Sequence, residues 1–93
     1  MDKSEAHAVA EKELESYRSV PYEKLFLLLN TQESFERVSE KNEVYQIEFD
    51  FMFDDHDQKT IRVWAIVSYS FWTDFVPVST SFIIAPNGDF IGE

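Results

Sequence analysis

The chain has 93 residues, with 8 Lys and Arg against 18 Asp and Glu, no Cys, 2 Gly and 3 Pro, which is the length of a single domain spanning 1–93. Hydrophobic residues make up 44% and aromatic residues 16%, too much core-forming material for a disordered acidic tail, so the net charge of −10 is expected on the surface of a folded protein. The lack of Cys removes thiol nucleophiles, disulfides and Cys-ligated zinc together, and cations scattered singly among carboxylates are the wrong surface for nucleic acid.

Membrane association is not expected either. No apolar run reaches the about 18 to 20 residues of a membrane span, and Met1-Asp2-Lys3-Ser4-Glu5 lacks the basic and apolar parts of a signal peptide. The expected compartment is the cytoplasm. With no disulfide, stability must come from packing the nine Phe, four Tyr and two Trp, because a chain this short buries a smaller share of its surface than a large one.

The first predicted element is a helix from about Ser4 to Ser19, with Asp2 or Ser4 as its cap and Glu5 placed as a capping-box acid relative to Asp2. At 100° per residue Ala6, Val9, Ala10, Leu14 and Tyr17 form a narrow apolar stripe, while Lys3, Glu11, Lys12, Glu15 and Arg18 lie mainly away from it. Glu13 falls inside the stripe. Pro21 forces Val20 into an extended conformation and opens a second helix, Pro21 to Leu29, with Leu25, Phe26, Leu28 and Leu29 buried and Asn30 as its C-terminal cap.

From about Ser34 the hydrophobic period changes to two. A weak strand is predicted over Ser34 to Ser39, a turn over Glu40 to Glu43, and a strong strand over Val44 to Phe53 in which Tyr45, Ile47, Phe49, Phe51 and Phe53 face the core. Gln46, Glu48, Asp50 and Asp54 face the other way. Asp54 to Lys59 forms a hairpin tip, and Thr60 to Ser70 is the return strand. A symmetric hairpin sets Phe53 against Ile61, Phe51 against Val63, Phe49 against Ala65, Ile47 against Val67 and Tyr45 against Tyr69, which satisfies every core position at once. Phe71 to Asp74 reads as the next turn and Phe75 to Ala85 as a third long strand. Asn87-Gly88 forms a tight turn before Phe90-Ile91. Pro77 cannot donate to a ladder, so its end of the third long strand is expected at an edge or a bulge.

The C-terminal half, with Tyr45-Gln46-Ile47-Glu48, Asp54-Asp55, Ile61-Arg62-Val63, Pro77 and the run from Phe82 to Glu93, resembles short bacterial proteins of an uncharacterised α+β family. The order of helix, helix and meander also resembles cystatin-like and nuclear-transport-factor-like folds. That second resemblance implies shared topology only, because the hairpin tip here is Asp-Asp-His-Asp where cystatin inhibitors carry Gln-x-Val-x-Gly.

The expected fold is α+β, with two N-terminal helices on one face of an antiparallel meander of three long strands and short strands at its margins. Such a layer leaves the second sheet face open. Trp64 and Ile66 on that face, Phe71 and Trp72 in the following turn, and the acids Glu48, Asp50 and Asp74 around them form a candidate interface. The leading functional expectation is a non-enzymatic protein-interaction module, either a homodimer through the open face or a binder of a basic protein, of which an immunity or antitoxin-type protein neutralising a cationic nuclease is the more specific form. The alternative is a small-molecule or enzymatic pocket between the first helix and the sheet around Glu13 and Tyr17, since a carboxyl group buried against a sheet is the kind found perturbed at active sites. No Ser-His pair or phosphate-binding loop accompanies it, no cofactor is implied, and Asp54 to Asp57 lacks the alternation of a calcium loop.

Overall fold

The computed structural model describes residues 1–71 and 74–92, and its side chains outside 70–76. Helix α1 runs Lys3–Arg18 and α2 Tyr22–Leu27, followed by strands β1 Gln32–Val38, β2 Val44–Phe53, β3 Ile61–Phe71, β4 Asp74–Ile84 and β5 Phe90–Ile91. The strands form one antiparallel sheet in the order β1-β2-β3-β4-β5, a meander. Both helices lie on the same face, α1 across β3 and β4 and α2 against β3, so the expected α+β architecture is the observed one. Among the described residues no helix is long and apolar enough to cross a membrane.

Asp2 caps α1: its Oδ1 accepts the Glu5 N–H at 2.8 Å, as the short oxygen of an N-cap residue does. Ala6, Ala10 and Leu14 are fully buried, while Val9 and Tyr17 pack at the margin of the core. Two residues assigned to the outer side turn inward at β4. The Arg18 guanidinium lies 5.0 Å from the Phe82 ring centre and 5.3 Å from that of Phe90, and Glu11 accepts the Thr80 hydroxyl. Long side chains on the border of a helix stripe bend toward aromatic or hydroxyl partners that helix geometry alone does not reveal.

The second helix is shorter than its apolar run. It stops at Leu27, and the chain closes through Asn30, whose φ of 63° is left-handed. The Asn30 N–H donates to the Phe51 carbonyl at 2.8 Å, which ties the helix end to β2 before Leu29 can extend it. Leu25 is buried and Phe26 is 47% exposed, its ring edge meeting Phe53 at 5.9 Å between centres.

The central hairpin has the expected register, from Tyr45 opposite Tyr69 to Phe53 opposite Ile61. Ile47, Phe49, Phe51, Val63, Ala65 and Val67 are buried beneath the helices, because period-two alternation sends every odd-numbered side chain of this hairpin to the same face. The first strand begins earlier than its weak pattern indicated, at Gln32, and pairs with β2 along its whole length. Pro77 sits opposite Ser68 with no slip in register, and β5 reaches only Ile83 and Ile84. Pro77 therefore stands on the part of β4 that β5 does not reach, with one strand neighbour instead of two.

Candidate functional site

Two surfaces have a shape and chemistry that bear on function. The first is a cleft of about 550 Å³ between α1 and the β1–β2 end of the sheet, whose lining includes Val9, Lys12, Glu13, Ser16, Lys41 and Tyr45. It exists because α1 packs mainly over β3 and β4 and is set back from β1. Glu13 enters it from the helix, with 24% of its side chain accessible. Its Oε1 lies 3.4 Å from Arg37 Nε and accepts the Tyr45 hydroxyl at 3.4 Å. Burial, followed by the Glu13 carboxylate, pushes the Tyr45 phenol above its ordinary value.

Tyr17 borders this group. Its hydroxyl donates to Glu33 at 3.4 Å, and its ring packs against Phe49 and Phe51 with centres 4.7 and 5.3 Å away. Burial first, and Glu33 second, raise its pKa. The Tyr17 hydroxyl thus bonds Glu33, with Glu13 and Arg37 near enough for their charges to act on it, while Glu13 itself is met by Arg37 and Tyr45. Arg37 and Tyr45 face each other across the β1–β2 ladder, so pairing the first strand with the second in the sequence would have found them together. A carboxylate met by a guanidinium and a phenol can anchor structure or a polar ligand.

The second surface is the sheet face opposite the helices. Glu48 lies across from Ile66 and Asp50 across from Trp64, and a shallow hollow of about 450 Å³ between β1, β2 and β3 is lined by Ser34, Glu36, Gln46, Glu48, Ile66 and Ser68 on this face. Trp64 and Ile66 are half-buried. The Trp64 ring is capped by the Arg62 guanidinium 5.2 Å from its centre, and Arg62 is itself fixed by Asp54 at 2.7 Å and the Ser81 hydroxyl at 2.8 Å. Met52, Val38 and Val44 stand more exposed on the same face, at 41%, 62% and 56%.

Two acids here lie side by side. Asp50 Oδ1 is buried without a hydrogen-bond partner among the described residues, and burial together with the Asp50 carboxyl beside it pushes the Glu48 carboxyl above its ordinary value. Like charges held close on a partly dry surface disfavour simultaneous ionisation. Of the other residues expected at this interface, the side chains of Phe71 and Asp74 and the whole of Trp72 lie outside the described residues.

The acidic hairpin tip serves the fold. Asp54 holds Arg62, and Asp55 Oδ1 accepts the N–H groups of Lys59 at 3.0 Å and Thr60 at 3.4 Å. Those bonds, the one from Lys59 foremost, hold its carboxyl below the usual carboxylate range. Among the described residues no three His, Asp or Glu side chains converge in a way that would hold a metal ion.

Comparison of the chain with protein-family models, curated proteins and solved structures gives no match.

Proposed function

We propose that the protein acts by binding a basic protein on the open sheet face, with Glu48 and Asp50 receiving Lys or Arg side chains of that partner. The observation that carries this reading is the acidic hollow at Glu48: among the described residues it is lined by the carboxylates of Glu36 and Glu48 and by no cation, with Asp50 two residues further along β2, on the face opposite the helices. A partner's cation entering the hollow offsets the repulsion between Glu48 and Asp50, and exposed Met52, Val38 and Val44 around it supply apolar contact. The net charge of −10 steers a cationic partner and repels an anionic one. For the same reason a second copy of this chain is the poorer occupant of this face, since stacking would set Glu36, Glu48 and Asp50 against their own kind.

The test is affinity capture from the source cell by the wild-type chain and by the double variant Glu48→Gln/Asp50→Asn. The reading requires a basic protein that the wild type retains, that rising salt releases, and that the variant loses. Capture by both chains alike, or of neutral and acidic proteins only, overturns it.

A small-molecule pocket between α1 and the sheet is the second reading. It is favoured by the cleft at Glu13, whose volume of about 550 Å³ lies within the range of ligand sites. A fragment screen followed by amide NMR tests it: bound fragments must shift Val9, Glu13 and Tyr45, and a screen in which none does removes the reading.

A further inference from the structure

We infer that β1 is a dimerisation edge, at which two copies of this chain pair their β1 strands antiparallel about a two-fold axis at Phe35 and join their sheets into one. The inference is independent of what binds the open face, which such a dimer leaves free.

Strand β1 is the outer strand of the sheet. It spans Gln32–Val38 and follows β2 without a bulge, so a full-length row of backbone N–H and C=O groups points outward. Natural sheets blunt such an edge with proline, a bulge, a covering element or charges placed against pairing. Here there is no proline, the register is regular, and the helical layer lies over β3 and β4. Charge remains as the only deterrent, and its placement favours one pairing.

In a two-fold antiparallel pair whose helices stay on the same side, each register centres on a single residue. Centring on Glu33, Glu36 or Arg37 puts that charge directly against its own copy. Centring on Ser34 opposes Glu33 to Phe35 and Gln32 to Glu36, with no charge matched. Centring on Phe35 sets Glu33 against Arg37 of the second copy and Arg37 against its Glu33, two opposite-charge pairs, with Ser34 against Glu36 and Phe35 against Phe35. Cross-strand pairs of this kind are the ones that stabilise a ladder, and like charges directly opposite destabilise it.

The side chains are placed for this arrangement. Glu33, Phe35 and Arg37 share the helix-side face, being opposite Phe49, Ile47 and Tyr45. Phe35 is 38% exposed, its ring 6.3 Å from that of Phe49 and covered by the Arg37 guanidinium at 4.7 Å. Pairing at the axis buries the remaining open part of that ring against its copy, and brings the uncovered troughs beside the two α1 helices together.

Charge reversal tests the register. Sedimentation should give the wild type twice the 11.0 kDa mass of one chain. Because Arg37 also meets Glu13 inside its own chain, the reversals are made in a Glu13→Gln background that should itself keep the doubled mass; there Glu33→Arg alone and Arg37→Glu alone should give the single-chain mass, and Glu33→Arg/Arg37→Glu together should restore the doubled mass, because position 33 meets position 37 across the axis. A wild type that stays at the single-chain mass at every concentration, or a dimer indifferent to both reversals, overturns the inference. Should a reversal unfold the chain, cysteine crosslinking decides. The sequence has no Cys, and Phe35→Cys places two thiols directly opposite, within disulfide reach. Oxidation should crosslink Phe35→Cys fully and leave Val38→Cys, which would meet Gln32, uncrosslinked; equal crosslinking of the two contradicts the axis.

Discussion

Replacing Phe49 with Ala tests the packing beneath the helices at its centre. Phe49 is 2% exposed, lies opposite Ala65 and sets its ring 4.7 Å from Tyr17. Truncating a buried Phe costs about 3 to 5 kcal/mol, and the lost aromatic pair adds about 0.5 to 1.5 kcal/mol. Against about 5 to 14 kcal/mol of total stability for a chain of this length, the variant should stand near the edge of folding. At about 4 to 8 °C per kcal/mol for a domain of this size, its Tm should fall by at least about 12 °C. Trp64→Ala, one rung away on the open face, removes a half-exposed ring and should cost less than about half as much. Denaturant titration followed by far-UV circular dichroism measures both. Equal losses, or a greater loss at Trp64, would refute the assignment of faces.

Three further outcomes follow from particular groups. Burial first, and the neighbouring Asp50 second, hold the Glu48 carboxyl above its ordinary value of 4.5, so its contribution to stability is fully present below that value and is lost as pH rises through the folded pKa. Glu48→Gln should therefore be more stable than the wild type at neutral pH, an advantage that disappears in acid below pH 4.5; a variant less stable than the wild type at pH 7 contradicts this. Tyr17 and Tyr45 are held above the ordinary phenol value of 10.0, by burial first in both cases. The stability they contribute is present below pH 10 and lost as pH rises through their folded values, so alkaline absorbance titration should show late phenols that coincide with unfolding, and phenols ionising normally in the folded chain would count against their burial. Asp2→Ala removes the cap of α1 and should cost about 1 kcal/mol, read as a lowered Tm; an unchanged Tm would show the cap to be idle.

The sequence revealed most where one residue sufficed to place the next. In the β2–β3 hairpin, alternation fixed the faces, and five apolar pairs agreed on one register. The first strand was hardest to read: a mostly exposed edge carries Glu, Ser, Phe, Glu and Arg in succession, so burial imposes no clean period on it. That uncertainty hid the partners of the candidate pocket. Glu13 was visible as a carboxylate in an apolar stripe, but which phenol and which cation meet it depends on the β1–β2 register, which brings Arg37 and Tyr45 together and leaves Tyr17 to Glu33. The end of α2 was hidden for a similar reason, because the bond that stops it comes from Phe51, a residue of a different element. On the open face, the hollow at Glu48 combines side chains of three strands, and only their alignment shows that it contains acids without a lining cation.

Both the proposed partner surface and the core rest on a sheet covered on one side and open on the other. Thiol labelling in native buffer tests that arrangement directly, since the chain contains no Cys. Met52→Cys, at a position 41% exposed on the open face, should react as fast as an unfolded peptide, and Val63→Cys, at a position 0% exposed on the helix face, should react only when denaturant unfolds the chain. Rapid labelling at 63 with protection at 52 would contradict the account.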